Sequence, residues 1–175
     1  MKLDRPDANL ARFLVKHGTD PTAQMKDGST PLHVLSRSAR PDADLAQFLV
    51  EHGADPTAQM KDGSTPLHVL SGSIWPDAYL AQFLVEHGTD LTAQDKDGST
   101  QLHVLLGLYR PDADLAWFLV EHSTDLTAQD KGGSTPMHLL LRSESPDEDL
   151  VGFLVEHGAD VTSQAMPQIQ QPTII

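Results

Sequence analysis

The sequence predicts an all-α solenoid of stacked helix-turn-helix units, joined by turns that project as β-turn fingers. Three observations carry this expectation. The motif Asp-Gly-Ser-Thr begins at Asp27, Asp62 and Asp97 and returns as Gly132-Gly133-Ser134-Thr135, always 35 residues on. A second marker, Phe-Leu-Val-(Lys/Glu)-His, begins at Phe13, Phe48, Phe83, Phe118 and Phe153 on the same step of 35 residues. Residues 23–57 and 58–92 differ at only six of 35 positions: Arg37/Gly72, Ala39/Ile74, Arg40/Trp75, Asp44/Tyr79, Ala54/Thr89 and Pro56/Leu91. A period of this length marks an array of small units, none able to bury a core alone. The expected organisation is a half repeat at 1–22, which supplies a second helix only, and full repeats at 23–57, 58–92, 93–127 and 128–162. A tail follows at 163–175.

One unit shows why each element forms. Lys26-Asp27-Gly28-Ser29 is a turn, because Asp and Gly favour tight reversals and tolerate left-handed geometry. Thr30 is the expected N-cap, and Pro31 stands at the first helical position, where a missing N–H costs nothing. Leu32 to Ser36 complete a short first helix, and Pro41 prevents it from running on. Asp42 caps a second helix, with Asp44 near its positive end. Leu45, Ala46, Phe48 and Leu49 form that helix's apolar stripe, Gln47 and Glu51 face water, and Gly53 is its stop. Both helices are too short to persist alone. Stacking Leu32, Leu35, Leu45, Phe48 and Leu49 on their counterparts in the next unit supplies the core.

Composition narrows the function classes. The chain has 175 residues, a formal net charge of -13 and no cysteine. The missing cysteine excludes disulfides, thiolate nucleophiles and Cys-based metal sites. The acidic surface repels phosphate backbones, so nucleic acid is not expected as a partner; a basic protein would be steered in, unless the charge serves only to keep the protein soluble, the plainer reading. The N-terminal residues lack the apolar stretch of a signal peptide, and no apolar run approaches the ~20 residues that span a bilayer. These features lead to the expectation of a cytoplasmic or nuclear protein that does not enter membranes.

Thr30-Pro31-Leu32-His33, repeated at Thr65 to His68 and varied at Thr100-Gln101-Leu102-His103 and Thr135-Pro136-Met137-His138, resembles the ankyrin signature. Glu51-His52-Gly53-Ala54-Asp55 and Glu156-His157-Gly158-Ala159-Asp160 resemble the end of an ankyrin second helix. The repeat wording is also similar to that of fungal ankyrin proteins. The resemblance implies partner binding through turn tips, first helices and the groove they line: a protein-protein interaction module, scaffold or adaptor, rather than an enzyme. Departures from the family pattern include two extra residues between the helices around Pro41 to Asp44. Leu35, Leu70, Leu105 and Leu140 stand where the family prefers Ala, Gln101 replaces the helix-opening proline, and Ser123 replaces the cap glycine.

Among near-identical units, the differing positions are the informative ones, and they cluster after the first helix. Unit one reads Arg37-Ser38-Ala39-Arg40 and unit two Gly72-Ser73-Ile74-Trp75. Unit three reads Gly107-Leu108-Tyr109-Arg110 and unit four Arg142-Ser143-Glu144-Ser145. Tyr79 replaces Asp44, and the turn tips carry Met25, Met60, Asp95 and Asp130. Trp, Tyr and Arg anchor interfaces most often. The expected partner-binding set is therefore Arg37, Arg40, Ile74, Trp75, Tyr79, Leu108, Tyr109, Arg110 and Arg142, together with the four tips. The competing reading is that the aromatic residues fill space around the longer loop. A further alternative places a small-molecule or enzymatic site in the groove near Trp75, Tyr79, Tyr109 and Arg110. Trp117 replaces a Gln on the outer face of a second helix, where self-contact or drift is expected before ligand binding.

Nine histidines fall into two repeat-locked rows: His33, His68, His103 and His138 in the motif, and His17, His52, His87, His122 and His157 at second-helix ends. Neighbours within a row stand about 8–10 Å apart by helix packing, too far to converge on one zinc at ~2.0–2.1 Å. Neither metal nor cofactor is expected. The motif histidine should bond to neighbouring turns, and the helix-end histidine should cap carbonyls. Arg5, Asn9, Arg12 and Lys16 suggest that the N-terminal helix acts as a makeshift polar cap. Imperfect capping of the ends predicts weak end-to-end homo-oligomers.

Overall fold

The computed structural model describes residues 8–160 apart from Ser123 and Glu144. The expectations for Arg5, for the Ser123 cap, for Glu144 and for the tail lie outside the described residues. Nine helices follow one another among them: α1 (Ala8–Lys16), α2 (Pro31–Ser36), α3 (Ala43–Glu51), α4 (Pro66–Ser71), α5 (Ala78–Glu86), α6 (Gln101–Leu106), α7 (Ala113–Glu121), α8 (Pro136–Leu141) and α9 (Glu148–Glu156). The even-numbered first helices stack in one row and the odd-numbered second helices in another, with each first helix also packed on its own second helix.

Local chemistry fixes each boundary as the sequence suggests. The carboxylates of Asp42, Asp77, Asp112 and Asp147 accept the backbone N–H three residues on, at 2.8–3.0 Å, and cap α3, α5, α7 and α9. Gly53 turns at φ 102°, and the Ala54 N–H returns to the Leu49 carbonyl at 2.9 Å, closing α3. Each finger is closed by a bond such as Met25 N–H to the Ser29 carbonyl at 2.8 Å. Adjacent fingers are tied through the backbone: the Lys61, Lys96 and Lys131 N–H groups donate to the Asp27, Asp62 and Asp97 carbonyls at 2.7–2.8 Å.

The core is a continuous leucine seam between the rows, including Leu67, Leu70, Leu80, Leu84, Leu102 and Leu105, all fully buried. Each such side chain contributes roughly 1.5–3 kcal/mol relative to exposure. The leucines at the family's alanine position, Leu35, Leu70, Leu105 and Leu140, are absorbed into this seam. Phe48 departs from expectation. It is only half-buried and lies against the core margin, with its ring 4.0 Å from that of His52. The same pairing recurs at Phe83–His87, Phe118–His122 and Phe153–His157.

The N-terminal helix does not form a polar cap. Arg12 and Lys16 reach back over the Phe48 ring, each 5.9 Å from its centroid. The apolar side chains Leu10, Phe13 and Leu14 are instead 53%, 57% and 44% exposed. The equivalents of Leu14 (Leu49, Leu84, Leu119 and Leu154) are at most 4% exposed. The difference is positional: in every later unit a first helix lies on the other side of these residues, and at α1 none does among the described residues. An apolar groove of about 410 Å³ opens there, lined by Leu14, Val15, Met25, Pro31, Val34 and Leu49 among others.

Candidate functional site

The motif histidines are architectural. The His33 Nδ1 accepts the Thr30 N–H at 3.1 Å and lies 2.8 Å from the Thr30 hydroxyl. An acceptor at Nδ1 leaves the proton on Nε2, which donates to the Ser64 carbonyl of the next finger at 3.1 Å. His68 bridges to Ser99 at 3.1 Å and His103 to Ser134 at 3.0 Å in the same way. Each of these rings thus caps its own helix and ties one unit to the next. Burial pushes the pKa of His33, His68 and His103 below the ordinary value, against a smaller opposing pull from the bonded carbonyl. The neutral tautomer this favours is also the one the bonding requires.

The helix-end histidines are exposed, and the Nδ1 atoms of His52, His87, His122 and His157 donate to the carbonyls of Phe48, Phe83, Phe118 and Phe153 at 2.8 Å. Among the described residues, no three His, Asp or Glu side chains come together in a way that would hold a metal ion.

The turn tips are partly committed to their own fingers. Asp95 accepts the N–H groups of Asp97 and Ser99, both at 2.9 Å. Asp130 does the same for Gly132 and Ser134, both at 2.8 Å. Asp27 and Asp62 accept the Ser29 and Ser64 N–H groups, which holds both carboxyls below the usual range. Met25 is exposed at the open end, while Met60, Asp95 and Asp130 are half-buried.

The edge between first and second helices is different. Ile74, Trp75, Tyr79 and Tyr109 are 82%, 74%, 78% and 79% exposed, the barest large apolar side chains among the described residues. Pro41, Pro76, Pro111 and Pro146 end the loops, and the aspartate caps then hold the second helices, so the loops project at fixed points. Arg37, Arg40, Arg110 and Arg142 are exposed on the same edge. Leu108 is half-buried and packs against the core, so the structure separates it from the exposed set. Several notches open along the edge. One, about 560 Å³, is lined by Arg37, Val69, Gly72, Ile74 and Trp75. A second, about 320 Å³, is lined by Tyr109, Arg110, Ser143, Ser145 and Asp147.

Trp117 is exposed on the outer face as expected, and its ring lies 5.7 Å from Phe153 in the next second helix, a tilted ring contact between units three and four. Gln101 was not legible as a structural crosslink. Its amide is buried between units, where Nε2 donates to the Asp90 carbonyl at 3.1 Å and reaches His68 Nδ1 at 3.3 Å. The signal was the break in the proline pattern at that position.

Stacked helical pairs, finger-to-finger bonds and histidines bridging successive units define a helical repeat scaffold. The chain belongs to the ankyrin-repeat family: the family description for ankyrin repeats (3 copies) matches residues 4–95 and 75–165. A search of the curated proteins finds no match. Ankyrin repeats are generally protein–protein interaction modules and are typically non-enzymatic. Among the described residues, no helix is long and apolar enough to cross a membrane.

Proposed function

We propose that this protein is a scaffold or adaptor whose partner binds along the edge formed by the first-helix ends and inter-helix loops. The observation that carries the reading is the concentration of exposed Ile74, Trp75, Tyr79 and Tyr109 where otherwise matching units diverge. Aromatic residues left bare on a rigid scaffold bind at low entropic cost, since the backbone that presents them is already ordered. Arg37, Arg40, Arg110 and Arg142 border them and supply directional donors.

A pull-down from source-cell lysate tests the reading. Wild type is compared with a Trp75→Ala, Tyr109→Ala, Arg110→Ala triple variant whose fold is verified by circular dichroism. A partner held by wild type and lost by the folded variant supports the proposal. Equal retention by both removes the edge from consideration.

The open groove at α1 supports a second reading, self-association of the chain. Leu10, Phe13, Leu14 and Val34 make an apolar surface at the end of the stack. Light scattering across a concentration series tests it. A mass that stays at one chain at every concentration refutes it.

A further inference from the structure

The C-cap residues of the four first helices occupy equivalent positions along the edge, and they read Arg37, Gly72, Gly107 and Arg142. Two glycines therefore hold the middle C-cap positions, each facing the next unit (a Cβ on Gly72 would meet Val104 Cγ1 at 3.2 Å, one on Gly107 Leu139 Cδ1 at 3.7 Å), and arginine holds the two outer ones. All four residues are exposed. Exposed Ile74 and Trp75 share a recess with Gly72, and exposed Tyr109 shares one with Gly107. Arg37 lines the notch under Trp75, and Arg142 lines a third recess of about 260 Å³ with Leu108, Tyr109 and Leu139. Among the described residues, Arg110 and Arg142 form no ion pair, and Arg37 feels Asp27 electrostatically without pairing to it.

Building on the partner-binding reading above, we infer that this edge takes an extended acidic peptide segment, with one carboxylate on Arg37, one on Arg142 and apolar residues between them. The exposed aromatic side chains take the apolar residues of the bound segment. Arginine at the two ends suits carboxylate, which it can grip through two parallel N–H bonds. Three repeat steps of about 8–10 Å separate the guanidinium groups, so an extended chain at about 3.3 Å per residue places the two acids roughly seven to nine residues apart.

The net charge of -13 favours basic partners at long range, and the exposed guanidinium groups of this edge are the local exception. Asp147 is the one carboxylate among the described residues lining the second notch, and its Oδ1 is occupied by the Leu150 N–H at 3.0 Å.

The probe is a phage-displayed library of random twelve-residue peptides selected on the full chain. Enriched peptides are resynthesised with a fluorophore and titrated by anisotropy. Expected is a pair of Asp or Glu residues seven to nine positions apart with apolar residues between. Affinity should drop about tenfold or more in Arg37→Ala and in Arg142→Ala, remain unchanged in Arg12→Ala, and fall as salt rises. Enriched peptides without the acid pair, or with equal affinity for wild type and both arginine variants, overturn the inference. If such peptides still weaken with Trp75→Ala, the interaction-module reading stands without it. If no peptide is enriched, or none responds to any substitution on the edge, both fall.

Discussion

Gln101→Pro should stabilise the protein by about 1–2 kcal/mol. Gln101 occupies the position held by Pro31, Pro66 and Pro136 in the other units, and its Oε1 is buried with no hydrogen-bond partner. An unsatisfied buried acceptor costs about 1–3 kcal/mol, and that cost disappears with the amide. Proline further restricts the unfolded chain, adding about 0.4–1 kcal/mol, and the immobilised glutamine rotamers are no longer needed. Against this, the Nε2 bond to the Asp90 carbonyl is lost, at about 1 kcal/mol. The backbone already accepts proline: Thr100 has φ -84° and ψ 171°, close to the -90° and 167° of Thr65, which precedes Pro66. Urea unfolding followed by circular dichroism at pH 7 reads the change as a raised midpoint with an unaltered slope, and melting should rise by roughly 2–8 °C. An unchanged or lower midpoint refutes the reasoning and shows that the amide crosslink outweighs its unpaired oxygen.

Two further predictions concern stability. His33, His68 and His103 have folded pKa values below 6.5, so the unfolded chain takes up protons first as pH falls. Their contribution is complete above about pH 6.5 and is lost as pH drops through the folded values. Asp20, Asp27, Asp62, Asp90 and Asp125 are held below 3.8 by Thr or Ser donors, so a second loss follows below that pH. Urea midpoints taken from pH 8 to pH 3 in 0.5 M salt, which screens surface repulsion, should decline in that order, and a flat profile between pH 7.5 and 4.5 contradicts it. The glycine turns separate two costs. Gly63 and Gly133 both have positive φ, 84° and 77°, but a Cβ on Gly63 would lie 3.1 Å from the Asp95 Cα, whereas Gly133 meets nothing within 4 Å. Gly133→Ala should cost about 1 kcal/mol for backbone strain alone and Gly63→Ala about twice that, because backbone must shift. Equal denaturation midpoints for the two variants would show that the fingers yield freely.

The period of 35 residues, the Thr-Pro cap, the aspartate caps and Gly53 are local signals, and the helices form where those signals place them. Local chemistry suffices because each unit repeats the same short-range choices. The roles of the two histidine rows were legible for the same reason: a residue repeated with the period serves the period. What depends on neighbours across the stack was not legible. A single sequence position gave bare Leu14 in α1 and buried Leu49, Leu84, Leu119 and Leu154 elsewhere, since burial depends on whether a first helix lies opposite. Trp117 is outward as its helical position suggests, but the ring contact with Phe153 depends on the spacing between units. Leu108 stands among interface-like residues in sequence and packs against the core in space. Signals repeated with the period determined where each helix begins and ends. Only the packing of one unit on the next decided which apolar side chains find partners and which remain at the surface, because burial is a property of pairs of units.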